Sequence, residues 1–113
     1  MKSNINKWVG EGQIASELTL RNTKNNYQVI NFILRVTDSY KIKEENSRIV
    51  WQEKTTHIPV VAWEEKATST ALKYKKNDTV RIVGRLNKPT TKNLDKPNQF
   101  EIVLEDISMI GSD

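Results

Sequence analysis

Aromatic rings and cationic side chains interleave in the middle of this 113-residue sequence. The rings can stack on flat aromatic groups, whereas Arg and Lys neutralise anions. A net charge of +4 favours a polyanionic partner without compelling it. The rings of interest are Tyr40, Trp51, His57 and Trp63, and the cations expected to accompany them are Arg35, Lys41 and Lys43.

A second cationic segment runs from 73 to 96, with eight basic and two acidic side chains. Charge alone is also explained by a solvated face, so a binding role needs the rings as a second signal. The candidate contacts of this segment are Arg85, Lys88 and Lys92, and Lys73 and the earlier Arg21 are further candidates.

The composition excludes most catalytic and metal chemistry. With no cysteine and a single His57, the chain cannot build a disulfide scaffold, a thiolate zinc site or a multi-histidine metal site. No Ser-His-Asp arrangement, phosphate-cradling glycine loop or paired-carboxylate motif stands out, so we expect neither an enzyme nor a cofactor. No run approaches the ~20 apolar residues of a membrane span, and the start lacks the apolar stretch of a signal peptide. We expect a soluble, intracellular protein.

The elements that must position these side chains are mostly strands. The length of 113 residues predicts one domain, residues 1–113, with a single modest core. Period-two alternation is clearest where Phe32, Leu34 and Val36 point one way and their neighbours the other. Glycines inside strand patterns predict bulges or tight bends at Gly10, Gly12 and Gly84. The predicted strands lie within Ile5–Leu20 and at Val29–Thr37, Val50–Trp63, Thr79–Leu86 and Phe100–Ile110.

One segment has helical rather than strand periodicity. Apolar positions between Glu64 and Lys76 recur at spacings of four and three, and Asn77 follows where a left-handed residue often ends a helix. The predicted linkers are residues 22–28, 41–49 and 87–99. Five strands with one helix between the third and the fourth predict an all-β, OB-fold Greek-key barrel.

Six short motifs follow one another along these elements. They are Asn6-Lys7 in the first strand, residues 29–34 (VINFIL) in the second, residues 60–63 (VVAW) in the third, residues 74–80 (YKKNDTV) at the helix end, residues 83–86 (VGRL) in the fourth strand and residues 105–111 (EDISMIG) in the last. Together and in this order they resemble the bacterial-type single-stranded DNA-binding protein family, from about Asn6 to Gly111.

The resemblance implies that unpaired bases stack on rings, which is worth ~1–3 kcal/mol per base. Tyr40 and Trp63 fall at aromatic positions of the family. His57 stands where the family usually has tryptophan, so a weaker stack is expected there. The family's fourth ring position corresponds to about Thr91, which has none, and Trp51 shares the strand parity of His57 and Trp63 and could supply a platform instead.

The strand patterns also allow structural roles for these rings. Regular alternation puts Tyr40 on the core side with Phe32 and Leu34, so a binding role requires a bulge or strand end before it. Core or oligomer contacts are an even alternative for His57 and Trp51 and the favoured one for Phe100 and Trp8.

The resemblance implies a non-enzymatic protein that coats and protects single-stranded DNA, without strong sequence preference, during replication, recombination or repair. An OB-fold RNA-binding protein, a primosomal-protein-N-like replication accessory subunit and a protein- or oligosaccharide-binding barrel remain open alternatives.

The resemblance also implies a homotetramer or homodimer that pairs through the first strand, a cytoplasmic, nucleoid-associated location and no membrane partner. Family members usually continue into a flexible tail with an acidic tip that recruits replication and repair proteins. This sequence stops at Asp113, which fits either a trimmed piece or a tail-less form, so we expect no such recruiting tail in it.

Overall fold

The computed structural model describes residues 3–46, 48–89 and 99–111. Within these ranges the chain forms six strands and one helix, mostly where alternation predicts them. The elements are β1 (Trp8–Ile14), β2 (Arg21–Asn22), β3 (Gln28–Glu45), β4 (Arg48–Trp63), α1 (Glu65–Lys73), β5 (Thr79–Asn87) and β6 (Glu101–Met109).

The strands form one sheet in the order β1-β5-β6-β4-β3-β2, and a further pairing of β1 with β3 closes it. All pairs are antiparallel except β4 with β6, which run parallel where Val60 meets Ile102. This closed sheet confirms the predicted all-β OB-fold barrel. The sheet has one strand more than the five predicted, since the two-residue β2 is too short and too polar to show alternation.

The barrel core is built from the inward-facing positions of the strands. Both Phe32 and Leu34 on β3 and Val60 on β4 are buried, as the alternation predicts. The helix covers the core with Ala67, which is buried, and with Ala71 and the adjoining Tyr74, which pack on it partly. Burial of the inward-facing side chains is therefore the main interaction that stabilises the barrel.

Helix α1 is shorter than predicted at both ends. Glu64 has a positive φ of 53° before the first turn, and Tyr74 is extended immediately after the last. Asn77 is left-handed as expected, with φ 82°, but it lies four residues beyond the helix, in the turn to β5. Among the described residues, no helix is both long and apolar enough to cross a membrane.

Two glycines permit close approach between strands. The pairing of β5 with β6 shifts register between Val83 and Gly84, which confirms the predicted irregularity there. A Cβ atom at Gly84 would overlap the Val103 carbonyl oxygen, and one at Gly12 would overlap the Arg35 carbonyl oxygen. The second contact lies where β1 meets β3, so Gly12 lets the barrel close.

Strands β3 and β4 are 18 and 16 residues long and extend well past the barrel. We call their outer portion, residues 36–45 and 48–56, the arm. Among the described residues no third strand pairs with it. Residues 41–49 were predicted to be a linker, which was wrong, because cross-strand pairing continues to Glu45 and Arg48. The arm accounts for the elongated shape of 61 × 38 × 32 Å.

Candidate nucleic-acid interface

Three rings lie along the outer face of β4 at equal intervals. Trp51, His57 and Trp63 are six residues apart, and because six is even their side chains point to the same side of the strand. A strand rises ~3.3 Å per residue, so neighbouring rings are about 20 Å apart along β4. The rings therefore mark out a line about 40 Å long.

A cation accompanies each ring across the sheet. Lys41 on β3 lies directly opposite Trp51, and Arg35 lies directly opposite His57. Opposite Trp63 is Val29, and the next residue across, on β2, is Arg21. Directly opposed residues share a face and have Cβ atoms about 5 Å apart. We call these six side chains, three rings and three cations, the outer track.

The rings of the outer track are open to solvent. Trp51 is 62% exposed and Trp63 is 43% exposed, and His57 is exposed as well. Large aromatic side chains bury readily when a core is available. Their exposure here shows that they take no part in the barrel core.

Each cation of the outer track already has a hydrogen-bond or ion-pair partner within the protein. The Lys41 Nζ lies 3.6 Å from Glu44 Oε2. An Arg35 Nη donates to Gln13 Oε1, and an Arg21 Nη donates to Asn31 Oδ1 at 2.6 Å. The Lys41–Glu44 contact is an exposed ion pair, which contributes only ~0–1 kcal/mol, so exchanging it for a phosphate costs little.

An open depression of about 250 Å³ lies beside Trp63. Its polar side chains come from four strands, because Arg21 and Asn31 meet Asn87 and Glu101 across the outer face. The Asn87 amide donates to a Glu101 carboxylate oxygen at 3.2 Å. A flat group stacked on Trp63 would thus find both hydrogen-bond donors and acceptors at its edge.

The structure separates Tyr40 from the outer track. Pairing is regular from Val29 to Lys41, and the single register shift in this hairpin comes after Tyr40, between Lys41 and Lys43. The bulge that a shared face would require before Tyr40 is therefore absent. Tyr40 lies opposite Gln52, on the other face of the arm from Trp51, and is 42% exposed.

The second cationic segment is only partly aligned with the outer track. Arg85 lies opposite Val103, whose other neighbour is Val61 on β4, so it shares the outer face. Its Nε lies 3.6 Å from Glu105 Oε2, and that carboxylate also accepts from Lys7 at 2.9 Å. Arg85 is thus already partly neutralised.

The remaining predicted cations are dispersed. Lys88 is exposed just after β5 and forms no ion pair with any residue the structure describes. Lys43 is exposed beyond the register shift, and Lys73 is exposed at the end of the helix. Lys92 and Thr91 fall outside the described residues, so their predicted roles have no structural counterpart here.

Three polar residues of the site, Asn31, Asn87 and Glu101, were not among the predicted contacts. Asn31 faces outward and is held by Arg21, and Glu101 lies across from Asn87 on the same face. The outward parity of Asn31 was visible in the sequence, but its partner lies on the short β2 that alternation cannot show. Phe100, for which a core or an oligomer contact was favoured, is 49% exposed and so lies outside the barrel core, whereas Trp8 packs partly against the core.

The described residues contain no cluster of three or more His, Cys, Asp or Glu side chains that could hold a metal ion. What the outer face offers is rings, cations and amides. Such groups bind by stacking, charge and hydrogen bonding.

Comparison with known proteins agrees with this geometry. The model of the single-strand binding protein family matches residues 5–110. Single-stranded DNA-binding protein 1 of Chlorobaculum tepidum is 30% identical over 115 residues, which cover 99% of this chain and 68% of that protein. The small single-stranded DNA-binding protein from Streptomyces coelicolor has the same fold, with a TM-score of 0.73 at 22% identity over 96% of this chain and 95% of that one. The chain belongs to the single-strand binding protein family.

Proposed function

We propose that this protein binds single-stranded DNA without strong sequence preference, and so coats and protects it during replication, recombination or repair. The observation that carries the proposal is the outer track, where each exposed ring on β4 has a cation across the sheet. Membership of the family supports it independently.

The chemistry of the outer track suits an unpaired strand. Every base offers a π-face, so stacking on Trp51 and Trp63 is worth ~1–3 kcal/mol per base whatever the sequence. Lys41, Arg35 and Arg21 would neutralise phosphates between the stacked bases. A line of about 40 Å fits the range of ~4–16 nucleotides that OB folds occupy.

Further contacts extend the site on either side of the outer track. Arg85 and Lys88 would meet the backbone at the barrel end, and Lys43 near the arm tip. Lys92 is proposed from the sequence alone. Tyr40 offers a ring on the opposite face of the arm. Single-stranded DNA would reach this ring by passing around the unpaired edge of the arm.

We propose that the protein acts as a homodimer or homotetramer. Strand β1 pairs with β5 from Trp8 to Gln13 but meets β3 only at Gln13 and Ile14, so one edge of β1 is open from Trp8 to Gly12 among the described residues. Val9 on this edge is 59% exposed. A second copy would satisfy the open hydrogen-bonding groups.

Light scattering tests the assembly directly. The expected mass is two or four times the 13.1 kDa of the chain. A species of one chain only, at micromolar concentration, would contradict the assembly but not the binding of DNA.

The binding experiment is a titration of tryptophan fluorescence with poly(dT), with a matched poly(U) strand and a DNA duplex as competitors. We expect quenching by poly(dT) and much weaker competition by the duplex, whose bases cannot reach the rings. Leu72→Ala, on the exposed face of α1, is the control variant and should bind like the parent chain. Preference for poly(U) would favour an RNA-binding protein, and no quenching by either strand would refute the proposal.

A further inference from the structure

The middle ring of the outer track differs chemically from the other two. His57 lies six residues from Trp51 and six from Trp63, and it is the only histidine of the sequence. Indole carries no charge at any physiological pH, whereas an imidazole gains a proton, and with it a second N–H donor, in the range between pH 5 and 8. One of three binding positions can therefore change charge while the other two cannot.

The group directly opposite His57 is the guanidinium of Arg35. Its contact with Gln13 uses one of the five N–H donors of an arginine and leaves the others for a ligand. Because opposed side chains are about 5 Å apart at Cβ, an anion seated between them would touch both. A phosphate there would accept hydrogen bonds from Arg35 at any pH. Neutral His57 has one N–H that could donate to the phosphate, whereas protonated His57 has two N–H donors and a positive charge, so its hydrogen bond to the phosphate is stronger.

The other charged groups around this position are already engaged or lie further along the sheet. Glu11 on β1 is paired with Arg81 on β5, at 2.5 Å. Glu101 on β6 accepts from Asn87. Glu53 shares the face of His57 but lies four residues nearer the arm tip. Among the described residues, none of these carboxylates is the cross-strand partner of the imidazole.

We propose that Arg35 and His57 form a phosphate clamp in which His57 takes up one proton when single-stranded DNA binds. The proposal rests on the proposed function, since the phosphate is that of the bound strand. The proton comes from solvent and resides on the imidazole, and no covalent bond is made. The two tryptophan positions supply pH-independent stacking, and the middle position adds a contact that strengthens in acid.

The sign of the pH effect follows from linkage. If the complex binds more protons than the free components, the association constant rises as pH falls, by at most tenfold per pH unit for one proton. The added phosphate contact also makes the salt response steeper, by about 0.7 in the slope of log K against log[salt] for a single strand. Both effects should be confined to the range in which imidazole titrates.

The test measures binding of the full chain to a fluorescently labelled dT oligomer between pH 5.5 and 8. Thymine has no basic ring nitrogen, so the bases contribute no protons in this range. Two variants are compared with the parent chain: His57→Gln, which keeps a polar side chain that cannot charge, and His57→Trp, which places a third indole on the outer track. We expect the parent affinity to rise several-fold toward acid and both variants to lose that rise.

The second measurement follows the single histidine ring signal of the parent chain by NMR, with and without the dT oligomer. We expect the ring to titrate at higher pH in the complex. Binding that is independent of pH, an unshifted ring titration, or a pH response that persists in His57→Gln would overturn the clamp and leave the proposed function standing. No binding at any pH would instead refute the proposed function.

Discussion

Strands β3 and β4 run through both the barrel and the arm, yet different interactions stabilise the two regions. In the barrel, β3 and β4 bury one face, so that Leu34 and Val60 are almost wholly shielded from water. In the arm beyond Val36, which still packs partly against the core, both faces are open, and Tyr40 on one side and Trp51 on the other remain exposed. Stability in the barrel comes from burial, whereas in the arm it comes from ladder hydrogen bonds and cross-strand pairs. Substitutions of buried barrel residues should therefore alter folding, whereas substitutions of exposed side chains, in the arm or on the outer face of the barrel, should alter binding.

The largest expected effect is a loss of stability when a buried barrel residue, and not an exposed arm residue, is replaced. Leu34→Ala removes a buried side chain from the core and should lower the free energy of unfolding by about 2–5 kcal/mol. Trp51→Ala, in the same hairpin, should change it by less than about 0.5 kcal/mol, as an exposed position does. Urea denaturation followed by circular dichroism measures both. Equal losses in the two variants would mean that the arm packs against a surface and is not free.

The next effect concerns binding. Trp63→Ala and Trp51→Ala each remove one stacking ring and should weaken poly(dT) binding by about 1–3 kcal/mol while the protein stays folded. Fluorescence anisotropy of a labelled dT oligomer measures the change, since one of the tryptophan signals is lost in each variant. Unchanged affinity in both would place the strand on another face.

A smaller effect distinguishes the two faces of the arm. Tyr40→Ala should cost about 1 kcal/mol or less, because its ring lies on the face away from the outer track and a bound strand reaches it only by wrapping around the arm. Gln52→Ala, directly opposite Tyr40, is the matched control on that face. A loss as large as that of Trp51→Ala would show that single-stranded DNA uses both faces equally.

The smallest effect at moderate salt is electrostatic. Arg21→Gln combined with Lys41→Gln removes the outermost cations of the outer track and should flatten the slope of log K against log[salt] by about 1.4, which is 0.7 for each phosphate lost. Replacing Lys88 and Lys92 in the same way compares the segment after β5 with the outer track. If only the second pair changes the slope, the backbone runs over the barrel end and not along β4.

The barrel was predictable from the sequence because burial leaves a pattern. Phe32 and Leu34 are buried on the inner face of β3, and the positions between and beside them include Asn31 and Arg35. On β5, Val80 and Ile82 are likewise buried on either side of Arg81. The outer part of the arm shows no apolar alternation, since neither of its faces is buried. The polar stretch around Lys41 therefore looked like a linker although it is a paired strand.

The site was predictable by residue type but not by pairing. The exposed Trp63 and the outward Arg35 follow from parity along single strands. That Arg35 opposes His57 depends on where the hairpin turns, and the predicted turn began several residues too early. For Tyr40, simple alternation gave the observed face, and the family resemblance suggested the other.

The arm's independence from the core makes its length separately adjustable. Removing two residues from each strand at matching positions would keep every remaining side chain on its present face and shorten the reach of the protein by about 7 Å. Removing one residue from each would instead turn the outer part of the arm over, so that Tyr40 and Trp51 exchanged sides. We therefore expect paired insertions or deletions of even length to keep the side chains of the outer track on one face, and to change the number of nucleotides covered while the barrel stays the same.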